Sequence, residues 1–211
     1  MDMNHLVLLG DSIFDNRAYV AGGPAVIDQV KQRVPHDWQA TLLAVDGDTA
    51  ADVLQQLKQL PQNATYLVLS VGGNDALNTL QHLGRPAENV IGALAELSGL
   101  LATFRHSYRS VLTELLALNR PVMVCTVYDA VPGLTDTLKV ALGMFNDVIL
   151  REAIRFGLPV LDLRMICTGT SDYSQMSPIE PSSQGGAKLA EKLVATVLAY
   201  DLMTGGCHVY S

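Results

Sequence analysis

Short apolar runs, each closed by Gly, Asp, Asn or Pro and separated by longer amphipathic stretches, constrain this chain more than any other feature. The runs are residues 5–9, 41–45, 65–71, 121–127 and 158–162. Apolar segments of roughly four to eight residues bounded by turn formers are what strands buried on both faces look like. Between them the apolar residues recur at three and four, as Leu138, Leu142, Phe145 and Ile149 do, which is the spacing of a helix with one buried face. Helices are expected near 24–33, 49–59, 88–118, 136–156 and 185–202. Strand alternating with helix builds a parallel sheet with right-handed crossovers. The expected fold is therefore a three-layer α/β/α sandwich on a five-stranded parallel sheet, formed as one domain over residues 1–211. Stretches 75–89 and 164–184 read as irregular, and both follow a strand, where ligands bind in open parallel sheets.

Composition narrows the function classes. Hydrophobic residues make up 49% and charged residues 17%, enough apolar side chain for a large core. A net charge of -7 and a pI near 5.1 argue against nucleic acid, whose binding needs clustered Lys and Arg against phosphate. Mean hydropathy is +0.23, yet no apolar stretch approaches the ~20 residues of a spanning helix. The N-terminus enters a strand without a cationic region and a long apolar core, which points to a cytoplasmic protein. Cys125, Cys167 and Cys207 are widely spaced and lack a C-x-x-C pair, so they read as unbridged thiols and not as a zinc site.

Three strand ends carry groups suited to chemistry. The first strand closes in Gly10-Asp11-Ser12, which puts a hydroxyl at the carboxyl edge of the sheet; taken alone, Asp and Ser are also ordinary turn and helix-cap residues. The second closes in Asp46-Gly47-Asp48-Thr49, where Gly47 lets backbone approach a ligand and Asp48 or Thr49 caps the next helix. The third closes in Gly72-Gly73-Asn74-Asp75, where Asn74 offers an amide donor without a charge to desolvate. Hydroxyl, glycine N–H and amide converge on one crevice.

In residues, order and context, Gly10-Asp11-Ser12-Ile13, Gly47 and Gly72-Gly73-Asn74-Asp75 resemble the first three blocks of the SGNH/GDSL hydrolases. The likeness extends more loosely through Asn146 and Asp162. It implies a flavodoxin-like sheet ordered 2-1-3-4-5. It also implies esterase, lipase, thioesterase or acylhydrolase activity through an acyl-enzyme on Ser12. The implied oxyanion donors are the Ser12 N–H, the Gly47 N–H and the Asn74 side chain, with no metal or organic cofactor and a small ester or thioester as substrate. Asp11 is expected to support its turn, and Asp75 likewise.

The last block departs from the family. Its Asp-x-x-His-Pro pattern stands here as Ser177-Pro178-Ile179-Glu180-Pro181, with Ser177 at the Asp position and Glu180 at the His position. An ordinary carboxylate near pKa 4.3 is a weaker base than imidazole near 6.5, by ~3 kcal/mol of driving force. Three readings follow. Glu180 is the base, its pKa raised by burial, with Asp172 as an acidic neighbour sharing a proton. Or a distant histidine substitutes, His82 or His106 being better placed than His208. Or the fold is kept without hydrolysis, as a module that binds a small ligand or a protein. Glu180 also reads as a plain helix N-terminal carboxylate if Pro181 opens the last helix. Retention of the whole oxyanion set favours the enzyme.

Overall fold

The computed structural model describes residues 3–199 and 207–211. Six parallel strands form one sheet: β1 (Asn4–Gly10), β2 (Trp38–Leu42), β3 (Tyr66–Ser70), β4 (Val122–Cys125), β5 (Val160–Leu161) and β6 (Val209–Tyr210). Their order is β2-β1-β3-β4-β5-β6. The expected order 2-1-3-4-5 holds, and a sixth strand extends it. The Val160 and Asp162 N–H groups donate to the carbonyls of His208 and Tyr210 across that last pair. Two residues are too few to show a period, which is why β6 leaves no trace in the apolar pattern. Leu6, Val7, Leu8 and Leu9 are all fully buried, as their unbroken run requires of a strand covered on both faces.

The helices are α1 (Val26–Arg33), α2 (Val53–Leu57), α3 (Gly73–Asn78), α4 (Leu80–Leu83), α5 (Val90–Ala117), α6 (Asp136–Phe156) and α7 (Ser183–Ala199). They fall into two groups, α1 against α7 and α5 against both α2 and α6, which supply the outer layers of the sandwich. Local chemistry sets several ends. The Asn89 and Thr135 side chains accept from Gly92 N–H and Leu138 N–H at the starts of α5 and α6, and Gly157, left-handed at φ 68, ends α6. Residues 200–202, assigned to the last helix from sequence, lie outside the described residues. The expected helix over 49–59 is cut to five residues. Asp48 and Thr49 do not cap it: the Asp48 carboxylate accepts from Gln56 Nε2 at 2.7 Å, and the Thr49 hydroxyl donates to Asp52 at 2.6 Å. Stretch 75–89, expected to be irregular, holds most of α3 and all of α4. Cys125 and Cys167 are buried, and all three cysteines are unbridged.

Candidate active site

Ser12 stands where β1 ends, and the backbone there is held from several sides. Gly10 has φ 129, and a Cβ on it would lie 1.8 Å from the Ser70 carbonyl oxygen of β3. Only glycine permits that approach. The buried Gln56 amide grips both faces of the same residue: Gly10 N–H donates to Oε1 at 2.9 Å, and Nε2 donates to Gly10 O at 2.7 Å. Gln56 Nε2 also donates to Asp48, so one side chain ties the β1 end to the turn after β2. Asp11 Oδ1 accepts the Ile13 N–H at 3.1 Å, and the Asp11 carbonyl accepts from Phe14 and Asp15, which sets the turn presenting Ser12.

Gly47 lies in the exposed turn after β2 with φ 88. The Asn74 side chain, from the first turn of α3, donates to the Asp48 carbonyl at 2.9 Å, fastening α3 to that turn. Its second amide hydrogen remains for a ligand. Asp75 accepts the Ala50 N–H at 3.0 Å, a second tie between the same segments, and burial raises its pKa.

Glu180 arrives from the segment between β5 and α7. Its backbone N–H donates to Ser177 O, its carbonyl accepts from Ser174 N–H, and Tyr128 hydroxyl donates to the neighbouring Ile179 carbonyl at 2.7 Å. From the opposite side Asn16, fully buried, donates to Pro181 O at 2.9 Å and accepts the first N–H of α1. Glu180 is therefore outside α7, which starts at Ser183, and is not a helix N-terminal carboxylate. Ser177 contributes its carbonyl to this turn.

Burial raises the Glu180 carboxyl to about 7; the adjacent Ser12 hydroxyl opposes the shift, and the charges of Asp46 and Asp15 add to it. Asp11 is raised to about 8, by burial first and by the Glu180 charge among lesser causes. Asp11 Oδ2 and Glu180 Oε2 are both buried without a hydrogen-bond partner. Two carboxyls poor in solvation stay neutral more readily.

Asp172 plays a different part from the one expected. It is fully buried, but its carboxylate is held by Lys188 Nζ at 2.7 Å and by the Thr168 and Gly169 N–H groups. It is not among the charges acting on Glu180; those are Asp46 and Asp15. Its contacts tie the 164–184 segment to α7.

Ser12, Asp11, Asn74 and Glu180 line one cleft whose remaining walls are largely apolar. No histidine lines it. His82, on α4, has its Nδ1 3.6 Å from Glu96, and His106 is exposed on α5, so the structure brings neither to Ser12. Among the described residues no group of three or more His, Cys, Asp or Glu could hold a metal ion, and no helix is long and apolar enough to cross a membrane.

Three residues of the site escaped the sequence reading: Gln56, Asn16 and Tyr128. Each bonds backbone far away in the chain, which no local spacing announces.

A family model of GDSL-like lipases and acylhydrolases matches residues 8–188, which span every group just described. The chain belongs to this family. No curated protein sequence matches it. Among solved structures, the family member resembles a lipase/acylhydrolase from Enterococcus faecalis at 23% identity and TM-score 0.70, over 93% of this chain and 96% of that one. It also resembles an acetylxylan esterase from Geobacillus stearothermophilus at 16% identity and TM-score 0.67, over 96% and 98%. A third is a lipase from a goat rumen metagenome, at 17% identity and TM-score 0.70, over 92% and 96%. At such identities the likeness is one of fold.

Proposed function

We propose that this GDSL-family protein is a serine hydrolase that cleaves a carboxylic ester or thioester through an acyl-enzyme on Ser12, with Glu180 as the general base. The observation that carries the reading is a carboxylate raised to about 7 beside a serine hydroxyl, both lining an apolar cleft. A base works best when its pKa lies near the working pH, and burial moves Glu180 to where imidazole would stand.

Glu180 takes the Ser12 proton as the oxygen attacks the acyl carbon, and the carbonyl oxygen gains charge facing the Ser12 N–H, the Gly47 N–H and the Asn74 amide. Protonated Glu180 returns the proton to the departing alkoxide or thiolate. Water then enters; Glu180 deprotonates it as the water oxygen bonds to the acyl carbon, and the acyl–oxygen bond to Ser12 breaks with the proton returned to the serine and the carboxylic acid released.

The absence of a histidine from the cleft favours one second reading, a family member that binds a small ligand or a protein without turnover. Labelling with a fluorophosphonate separates the two, because a reactive serine needs a working base. The expected result is one covalent adduct on Ser12, turnover of p-nitrophenyl butyrate, and loss of both in Ser12→Ala with unchanged melting. Equal rates in the wild type and Ser12→Ala would remove the hydrolase.

A further inference from the structure

We propose that the cleft beside Ser12 is an acyl subsite for a straight chain of about eight carbons, so that the substrate is a medium-chain acyl ester; this rests on the serine-hydrolase reading. The cleft has two unlike parts. Its polar groups are Asp11, Ser12 and Glu180 on loops and Asn74 in the first turn of α3. Beyond them one wall climbs α6 through Phe145, Leu142, Ala141 and Leu138, and α3 and α4 supply the facing wall with Leu77 and Leu80.

That apolar part offers a ligand no free side-chain donor. Its two polar side chains are already engaged, the Thr79 hydroxyl with the Ala76 carbonyl at 2.6 Å and the Tyr128 hydroxyl with the Ile179 carbonyl at 2.7 Å. Charged or hydroxyl-rich chains entering it would lose water with little compensation, whereas methylenes gain from the transfer. An acetyl group would reach only the first turn of this wall.

The length of the wall sets the length of the chain. From Phe145 to Leu138 the helix advances seven residues, about 10 Å at ~1.5 Å each. An extended chain advances roughly 1.2 Å per single bond, as the backbone does over its three bonds per residue, so about eight carbons fill that span. Each buried methylene is worth roughly fourfold in kcat/KM.

The test is kcat/KM for p-nitrophenyl acetate, butyrate and octanoate in the wild type, Ala141→Phe and Leu138→Trp, with melting curves to show that each variant folds. The wild type should favour octanoate over acetate by about a hundredfold or more. A bulky ring in mid-cleft should cut that ratio by about tenfold or more, and Leu138→Trp carries the test if Ala141→Phe does not fold. A rate that is highest on acetate, or flat across the series, overturns the acyl subsite and leaves the hydrolase standing. If no ester is turned over and no fluorophosphonate adduct forms, the hydrolase fails, and calorimetry with 1-octanol decides the cleft. Binding that Ala141→Phe abolishes supports an alkyl site, and no binding overturns it.

Discussion

Glu180 occupies the position where the family places histidine, and its surroundings raise the basicity an ordinary carboxylate lacks. Burial does most of this, so the shift belongs to the site and not to the side chain. In the proposed mechanism the ionised carboxylate is the active form of the base, so kcat/KM should rise with pH and level off above an apparent pKa of about 7. Glu180→Gln keeps the shape and removes the basicity. It should lower kcat by about a hundredfold or more and abolish the rise, while leaving the melting temperature unchanged or higher, since a buried unpaired carboxylate is lost. A Gln variant that retains wild-type kcat and the same pH profile would assign the base elsewhere. The placement of Ser12, Gly47 and Asn74 after strand ends was legible because each follows an apolar run in a glycine-marked turn. The partner assigned to Glu180 was not. Asp172 stands eight residues before Glu180 in the same loop segment, but Lys188, one helix away, claims its charge. Chain proximity carries no information about which ion pair forms.

Among the elements, legibility followed burial. β1, with its unbroken buried run, was read almost to its ends. β2 lies at the sheet edge, where only Ala40 of its five residues is buried, and it begins three residues earlier than the pattern suggested. Short elements, α2 and β6 among them, owe their form to tertiary contacts that no local period reports. The junction of β1 with its loop is the most demanding element end. Gly10→Ala would force a Cβ against the Ser70 carbonyl at a φ of 129, a clash between two backbones that cannot both yield. The expected cost is about 3 kcal/mol or more, seen as a melting temperature lower by roughly 6–12 °C or as loss of soluble protein. Gly22→Ala is the control: it too has positive φ, 83, but nothing lies within 4 Å of its Cβ. Strain without collision should cost ~1 kcal/mol. Comparable losses at the two positions would show that φ, and not the close approach to β3, governs the junction.

For the molecule as a whole, activity and stability should respond to pH in opposite directions. Asp11 and Glu180 have folded pKa values of about 8 and about 7, above those of an unfolded chain. Groups raised in this way stabilise fully below their unfolded pKa, and that stability is lost as pH rises through the folded values. Glu152 and Asp162 are held low instead. Arg109 beside Glu152 lowers its pKa; at Asp162 burial acts upward but is outweighed by Arg164 and Thr126. Their contribution is lost only as pH falls through the low folded values. The melting temperature should therefore peak under mildly acidic conditions and be lower at pH 8.5 than at pH 5.5 by roughly 5 °C or more, at ~2–4 °C per kcal/mol. Asp11→Asn retains the acceptor for Ile13 N–H and should flatten much of this slope. A melting temperature that climbs from pH 5.5 to pH 8.5 would contradict it. The proposed hydrolase would thus work best where its fold is weaker. A last consequence follows from a cleft walled by carboxyls and hydrocarbon, with every imidazole of the chain outside it. Diethylpyrocarbonate, which acylates imidazole, should modify the surface rings and leave turnover intact. A carbodiimide with a small amine, by capping one acid, should silence the enzyme.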